Sequence, residues 1–158
     1  MSKQVFEIVG IEAINKALAE VPEEFRDNVA MKATKDAANI LLEEARQQCP
    51  IGPSRDIFGR YRQPGRLKAS LKMIGKKTKT GVDVSVRPTG KAANYAHLVE
   101  FGHRIVIYGQ QEGFAAPNAF MTRSFDAKAV EANNRGIDLI GKGFLDVLSK
   151  RVKKAMKK

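Results

Sequence analysis

NYAHLVEFGHRIVIYGQQEGFAAPNAFMTRSFDA, residues 94–127, decides the reading of this chain: an apolar turn, a glycine stop, a long loop and an apolar restart follow one another with no catalytic set among them. Ala92 to Phe101 reads as a short helix. Gly102 closes it, because a residue without a β-carbon can leave a helix in a left-handed conformation. Ile105, Val106, Ile107 and Tyr108 are β-prone and predict one strand, whereas Gly109 to Asn118 carries Gly109, Gly113 and Pro117 and predicts a flexible loop. The segment 103–118 is therefore expected to be largely loop. From about Ala119 to Met156 the pattern is helical, with a break expected near Asn133 to Gly136 and a last apolar stripe of Ile137, Ile140, Phe144, Leu148 and Val152.

Upstream, Val82, Val84 and Val86 alternate with Asp83, Ser85 and Arg87, the period of a half-buried strand. With Leu71 to Lys79 as the other arm and Thr80-Gly81 at the turn, this predicts a hairpin, entered through a short helical turn at Arg66 to Ser70. From Ile51 to Gly65 no period is sustained, which predicts a first long loop. Before it, Phe25, Val29, Ala33, Ala37, Leu41 and Ala45 form the stripe of a long helix that ends near Gln48, ahead of Pro50, Gly52 and Pro53. The alanines in that stripe would let a neighbouring element approach closely. Val5, Phe6, Ile8 and Val9 predict a short strand, and Ile11, Ile14, Leu18 and Val21 a first helix.

A chain of 158 residues fits one domain with a real core, and an apolar content of 43% argues against wholesale disorder. No apolar run approaches the roughly 20 residues that span a bilayer. No basic and apolar leader opens the chain, so a cytoplasmic setting is expected, and the single cysteine, Cys49, agrees with a reducing compartment. The net charge of +11 is concentrated. Arg55, Arg60, Arg62, Arg66, Lys68, Lys72, Lys76, Lys77 and Lys79 face only Asp56 in the middle of the chain, and Lys150 to Lys158 form a basic end. Such clusters attract polyanions or acidic protein faces.

Enzyme chemistry has little to work with. His97, Glu100 and His103 have the wrong spacing for the zinc protease motifs, and Gly102 takes His103 off the helix, so a polar helix edge is the better reading. Cys49 has no motif naming a base and precedes Pro50, which favours an inert thiol at a helix end over a nucleophile. No phosphate-loop or dinucleotide signature is present. No enzyme, cofactor or metal is expected.

The run Tyr95-Ala96-His97-Leu98-Val99-Glu100-Phe101-Gly102, followed by Pro117, Phe120 and Met121, resembles the tail-completion (neck) proteins of long-tailed bacteriophages, minor tail components of the HK-ninety-seven gene-product-ten-like type. Gly65-Arg66-Leu67-Lys68-Ala69-Ser70-Leu71 is similar to that family's glycine followed by a basic-apolar helix entering a strand. Ala45 to Pro50 is similar to its helix exit into a proline turn. The chain departs from the pattern at His103, where a small polar residue is common, and at Ala119, where a proline is common.

The resemblance implies a structural virion protein of the neck that completes the head-proximal end of the tail. It would form a hexameric homo-oligomer ring around the DNA channel, between the head-closure (stopper) protein and the tail-terminator or tail-tube protein. It implies that Tyr95, Glu100, Phe101, Gly102, Pro117, Phe120 and Met121 serve the ring interface, although aromatic and apolar residues beside a glycine turn equally often pack inside their own domain. Arg55, Arg60, Arg62, Arg66 and Lys68, with Phe58 and Tyr61 interleaved, are candidates for contact with DNA or an acidic partner. Charge alone would support a sequence-independent nucleic-acid-binding protein instead. The expected fold is α+β, a small antiparallel sheet packed with a long helix in the N-terminal half and a C-terminal helix, with two long loops that order on docking.

Overall fold

A computed structural model describes residues 26–54, 61, 63–79 and 81–155. A five-residue π turn, Arg26–Ala30, leads into α1, Met31–Gln48. Next come α2, Arg66–Ser70; β1, Leu71–Thr78; and β2, Gly81–Pro88. A single 3-10 turn, Gly90–Ala92, opens α3, Ala93–Phe101. The chain then forms β3, His103–Ile107, and β4, Gln110–Ala115, before the long helix α4, Phe120–Ala155. The class is α+β, as expected, with two separate two-stranded sheets, β1–β2 and β3–β4, in place of one. The expected strand at Val5 to Val9 and helix at Ile11 to Val21 lie outside the described residues.

Contacts cluster in two compact units. Among the described residues, one gathers 26–37, the hairpin tip Gly75–Val84 and 131–155; the other gathers Ala38–Ile74 and Ser85–Val130. In the first, small residues set the packing. A β-carbon on Gly136 would sit 3.4 Å from the Ala37 β-carbon, one on Gly143 would collide with Val29, and one on Gly75 would lie 2.9 Å from the Met31 sulfur. At Ala37 this is the close approach that the alanines of α1 allow. It also accounts for the absence of the break expected at Asn133 to Gly136: α4 runs through it unbroken. Gly136 costs about 1 kcal/mol of helix propensity relative to alanine, and packing against Ala37 offsets it.

The second unit holds a core of Leu42, Ala45, Cys49, Leu67, Leu71, Ala92, Ala96 and Phe120, with Met73, Val86, Tyr95, Val99 and Met121 packed against it. Leu71 and Phe120 are fully buried, worth about 1.5–3 kcal/mol each. The Arg46 guanidinium donates to the Leu71 carbonyl at 3.0 Å, tying α1 to the start of β1. The buried line along α1 is Ala30, Ala33, Ala38, Leu42, Ala45 and Cys49, so Ala37 and Leu41 of the expected stripe are only half-buried. The reason is geometric. A strict four-residue step drifts by about 40° each time on a helix of 3.6 residues per turn, and no such stripe keeps to one face for long.

The segment 109–118, expected as a loop, is largely strand. β4 pairs antiparallel with β3 from His103↔Ala115 to Ile107↔Gln110, with a register shift between Ile105 and Val106. The two-residue turn has positive φ at both positions, Tyr108 at 50° and Gly109 at 82°. That conformation matches the twist of a hairpin, so the turn drives pairing that the composition of β4 did not announce.

Candidate functional site

α3 ends where the quoted stretch divides. Tyr95, Ala96 and Val99 turn towards the core, and Gly102 stops the helix with φ 74° and ψ 169°. This is not the left-handed helical conformation expected there but an extended positive-φ region open essentially to glycine alone. The space is equally restrictive: a β-carbon at Gly102 would lie 2.5 Å from the Ala115 carbonyl oxygen and 2.9 Å from the Pro117 nitrogen.

Beyond the hairpin the chain returns to the end of α3. Asn118 N–H donates to the Val99 carbonyl at 2.9 Å and Ala119 N–H to the Glu100 carbonyl at 3.0 Å. Ala119, at φ 51°, aims the first turn of α4 at the Glu100 side chain. The carboxylate accepts from Met121 N–H and Thr122 N–H at 3.0 Å each and from the Thr122 hydroxyl at 2.8 Å. The opening N–H groups of a helix have no partner within it, and its N-terminus carries partial positive charge, so a buried carboxylate there meets both needs. The Arg123 guanidinium adds a bond to the Asn118 side-chain oxygen at 3.1 Å.

The residues expected at a ring interface thus separate. Glu100 and Phe120 are buried, with Glu100 bonded inside its own chain, and Tyr95 and Met121 pack against the core. Phe101 and Pro117 are exposed, and Gly102 is half-buried. Sequence reasoning missed the apolar surface of the hairpin: Val106 is 59%, Phe114 62% and Tyr108 91% exposed, beside Phe101 at 64%. The β-prone run from Ile105 to Tyr108 carried part of that signal, but β4 did not read as a strand. Arg55, Arg60 and Arg62 lie outside the described residues. Arg66 is exposed on α2, and Lys68 is half-buried.

Of the candidate catalytic groups, His97 is exposed, and the His103 Nδ1 lies 3.3 Å from the Leu98 carbonyl. Glu100 is committed to α4. Among the described residues no three His, Cys, Asp or Glu side chains are grouped to hold a metal ion, and no helix is long and apolar enough to cross a membrane. Burial pushes the Cys49 thiol up from its ordinary value, with the Lys68 charge pulling the other way, so the sulfur is held protonated at neutral pH.

No curated protein and no solved structure matches the chain. A family described as "Bacteriophage HK97-gp10, putative tail-component" matches residues 12–102, a span that contains the α1 exit, α2 with the β1–β2 hairpin, and α3 to its glycine stop. With more than half its length matched, the chain belongs to the HK97-gp10-like family of phage tail components.

Proposed function

We propose that this tail component acts at the neck, completing the head-proximal end of the tail and joining it to the DNA-filled head as a hexameric ring around the DNA channel. It works stoichiometrically and turns nothing over. The β3–β4 hairpin with Phe101 is the face presented to the neighbouring copy in the ring, and the exposed Phe101, Val106, Tyr108 and Phe114 are the observation that carries this reading. Large apolar side chains left exposed along one hairpin and the helix end before it suit a surface that meets a partner. Head-to-tail contacts of one surface with a different one close into rings, and a projecting hairpin suits such a contact. The partners along the axis are the head-closure protein and the tail-terminator or tail-tube protein. Virions are the destination and the infected host's cytoplasm is the place of assembly.

The test is electron microscopy of a lysate in which this gene alone carries a stop codon. Packaged heads and complete tails accumulating unjoined are the expected outcome. Joined, normal virions would overturn the neck assignment.

A further inference from the structure

A cleft of about 290 Å³ opens between α2, the start of β1 and the 3-10 turn before α3. Its charged lining is Arg66, Lys72 and Lys91, one from each element, and no Asp or Glu lines it. All three are exposed, and among the described residues none has an ion-pair or hydrogen-bond partner. Lys68, on the same short helix, is not part of the lining. The walls are fixed from behind. Thr89 donates to the Ser70 carbonyl through both its N–H at 3.0 Å and its hydroxyl at 2.9 Å, and the Ser70 hydroxyl donates to the Leu67 carbonyl at 2.7 Å. Leu67 and Ala92 then anchor two of the three elements in the core.

Three cations held around one opening, none of them paired among the described residues, repel one another, and an anion seated among them relieves that repulsion. A guanidinium offers a planar fork that matches phosphate, and the two ammonium groups add point charges. We propose that this cleft is a phosphate site and that the phosphate is supplied by the backbone of duplex DNA, gripped without regard to sequence. The rest of the lining favours DNA over an acidic protein segment. Pro64, Gly65, Ala69 and Ala92 supply no large apolar side chain, whereas protein partners anchor through aromatic and aliphatic groups in apolar pockets. Backbone contacts to DNA need only charge and donors. This assignment does not depend on the neck reading and extends the basic surface to Lys72 and Lys91.

The experiment is fluorescence anisotropy of a labelled duplex of about 30 base pairs, titrated with salt, against the full chain and two triple variants. Arg66→Ala/Lys72→Ala/Lys91→Ala empties the cleft, and Lys32→Ala/Arg135→Ala/Lys142→Ala removes equal charge from exposed positions elsewhere. Each phosphate neutralised contributes about 0.9 to the slope of log affinity against log salt, so between about 50 and 200 mM salt the unaltered protein, with one phosphate seated in the cleft, should lose about 3.5-fold more affinity than the cleft variant. The second variant should keep the original slope. Lys91→Ala alone, should the triple variant not fold, is expected to lower the slope by less than the full ~0.9 of the seated phosphate, but measurably.

Equal slope loss in both triple variants would overturn the proposal in favour of net charge alone. A cleft variant that loses binding to polyglutamate but not to duplex would overturn it in favour of an acidic protein partner. Inorganic phosphate that saturates the cleft, seen by NMR shifts of Arg66, Lys72 and Lys91, with the duplex slope unchanged, would overturn DNA as the source.

Discussion

The α3–α4 junction and the β3–β4 hairpin that interrupts it come from one continuous stretch and place their apolar side chains in opposite ways. At the junction Phe120 is fully buried and the Glu100 carboxylate accepts three hydrogen bonds from its own chain. On the hairpin Val106, Tyr108 and Phe114 face outward. Gly102 is the hinge point between the two, one residue after exposed Phe101 and two after buried Glu100. The difference teaches that a recognisable motif need not be a contact surface throughout. Its buried half fixes the direction in which its exposed half projects.

The comparison is most exposed to failure at Phe120. Phe120→Ala should destabilise the fold by about 3–5 kcal/mol, measured by denaturant unfolding. A cost near zero would mean that the junction is not the anchor described. A smaller loss is expected from Glu100→Ala, about 1–3 kcal/mol, because half-buried N–H groups at the start of α4 lose their acceptor. Glu100→Gln, which keeps one acceptor oxygen, should cost less. If both variants unfold like the unaltered protein while oligomers dissociate, Glu100 serves the interface and not the junction. Least in stability, and largest in assembly, should be Phe101→Ser with Val106→Thr. Unfolding is expected to shift by no more than about 0.5 kcal/mol, while native mass spectrometry should record loss of the proposed ring. A stability loss matching that of Phe120→Ala would erase the distinction between the two regions.

Much of the scaffold was legible because local rules decide it. Pro50 ends α1 where a missing N–H must end a helix, Gly102 ends α3, and the Val82, Val84 and Val86 alternation marks β2. β4 was not legible, since Gln110, Gln111, Glu112 and Gly113 have little strand preference and owe their conformation to the turn at Tyr108-Gly109 and to pairing with β3. The same limit hid the continuity of α4, where Ala37 lies against Gly136 from far away in sequence. The Glu100 cap joins residues about twenty apart through a hairpin, which no capping motif read along the chain describes. The cationic cleft was half legible. Arg66 stood out within a basic run, but Lys72 joins it from a strand and Lys91 from beyond the hairpin.

The shifted register of β3 and β4 has a consequence for the subunit before it finds any partner. A two-stranded sheet presents a row of N–H and C=O groups along each free edge, and a flat apolar edge is a template on which copies add strand to strand into fibrils. Between Ile105 and Val106 the pairing slips, so Glu112 is left as an extra residue on β4 opposite no partner. Such a bulge bends the strand and breaks the even spacing of its edge groups. This exposed apolar hairpin is therefore not a continuous template for copying itself, and its side chains can remain exposed without committing the backbone to aggregation.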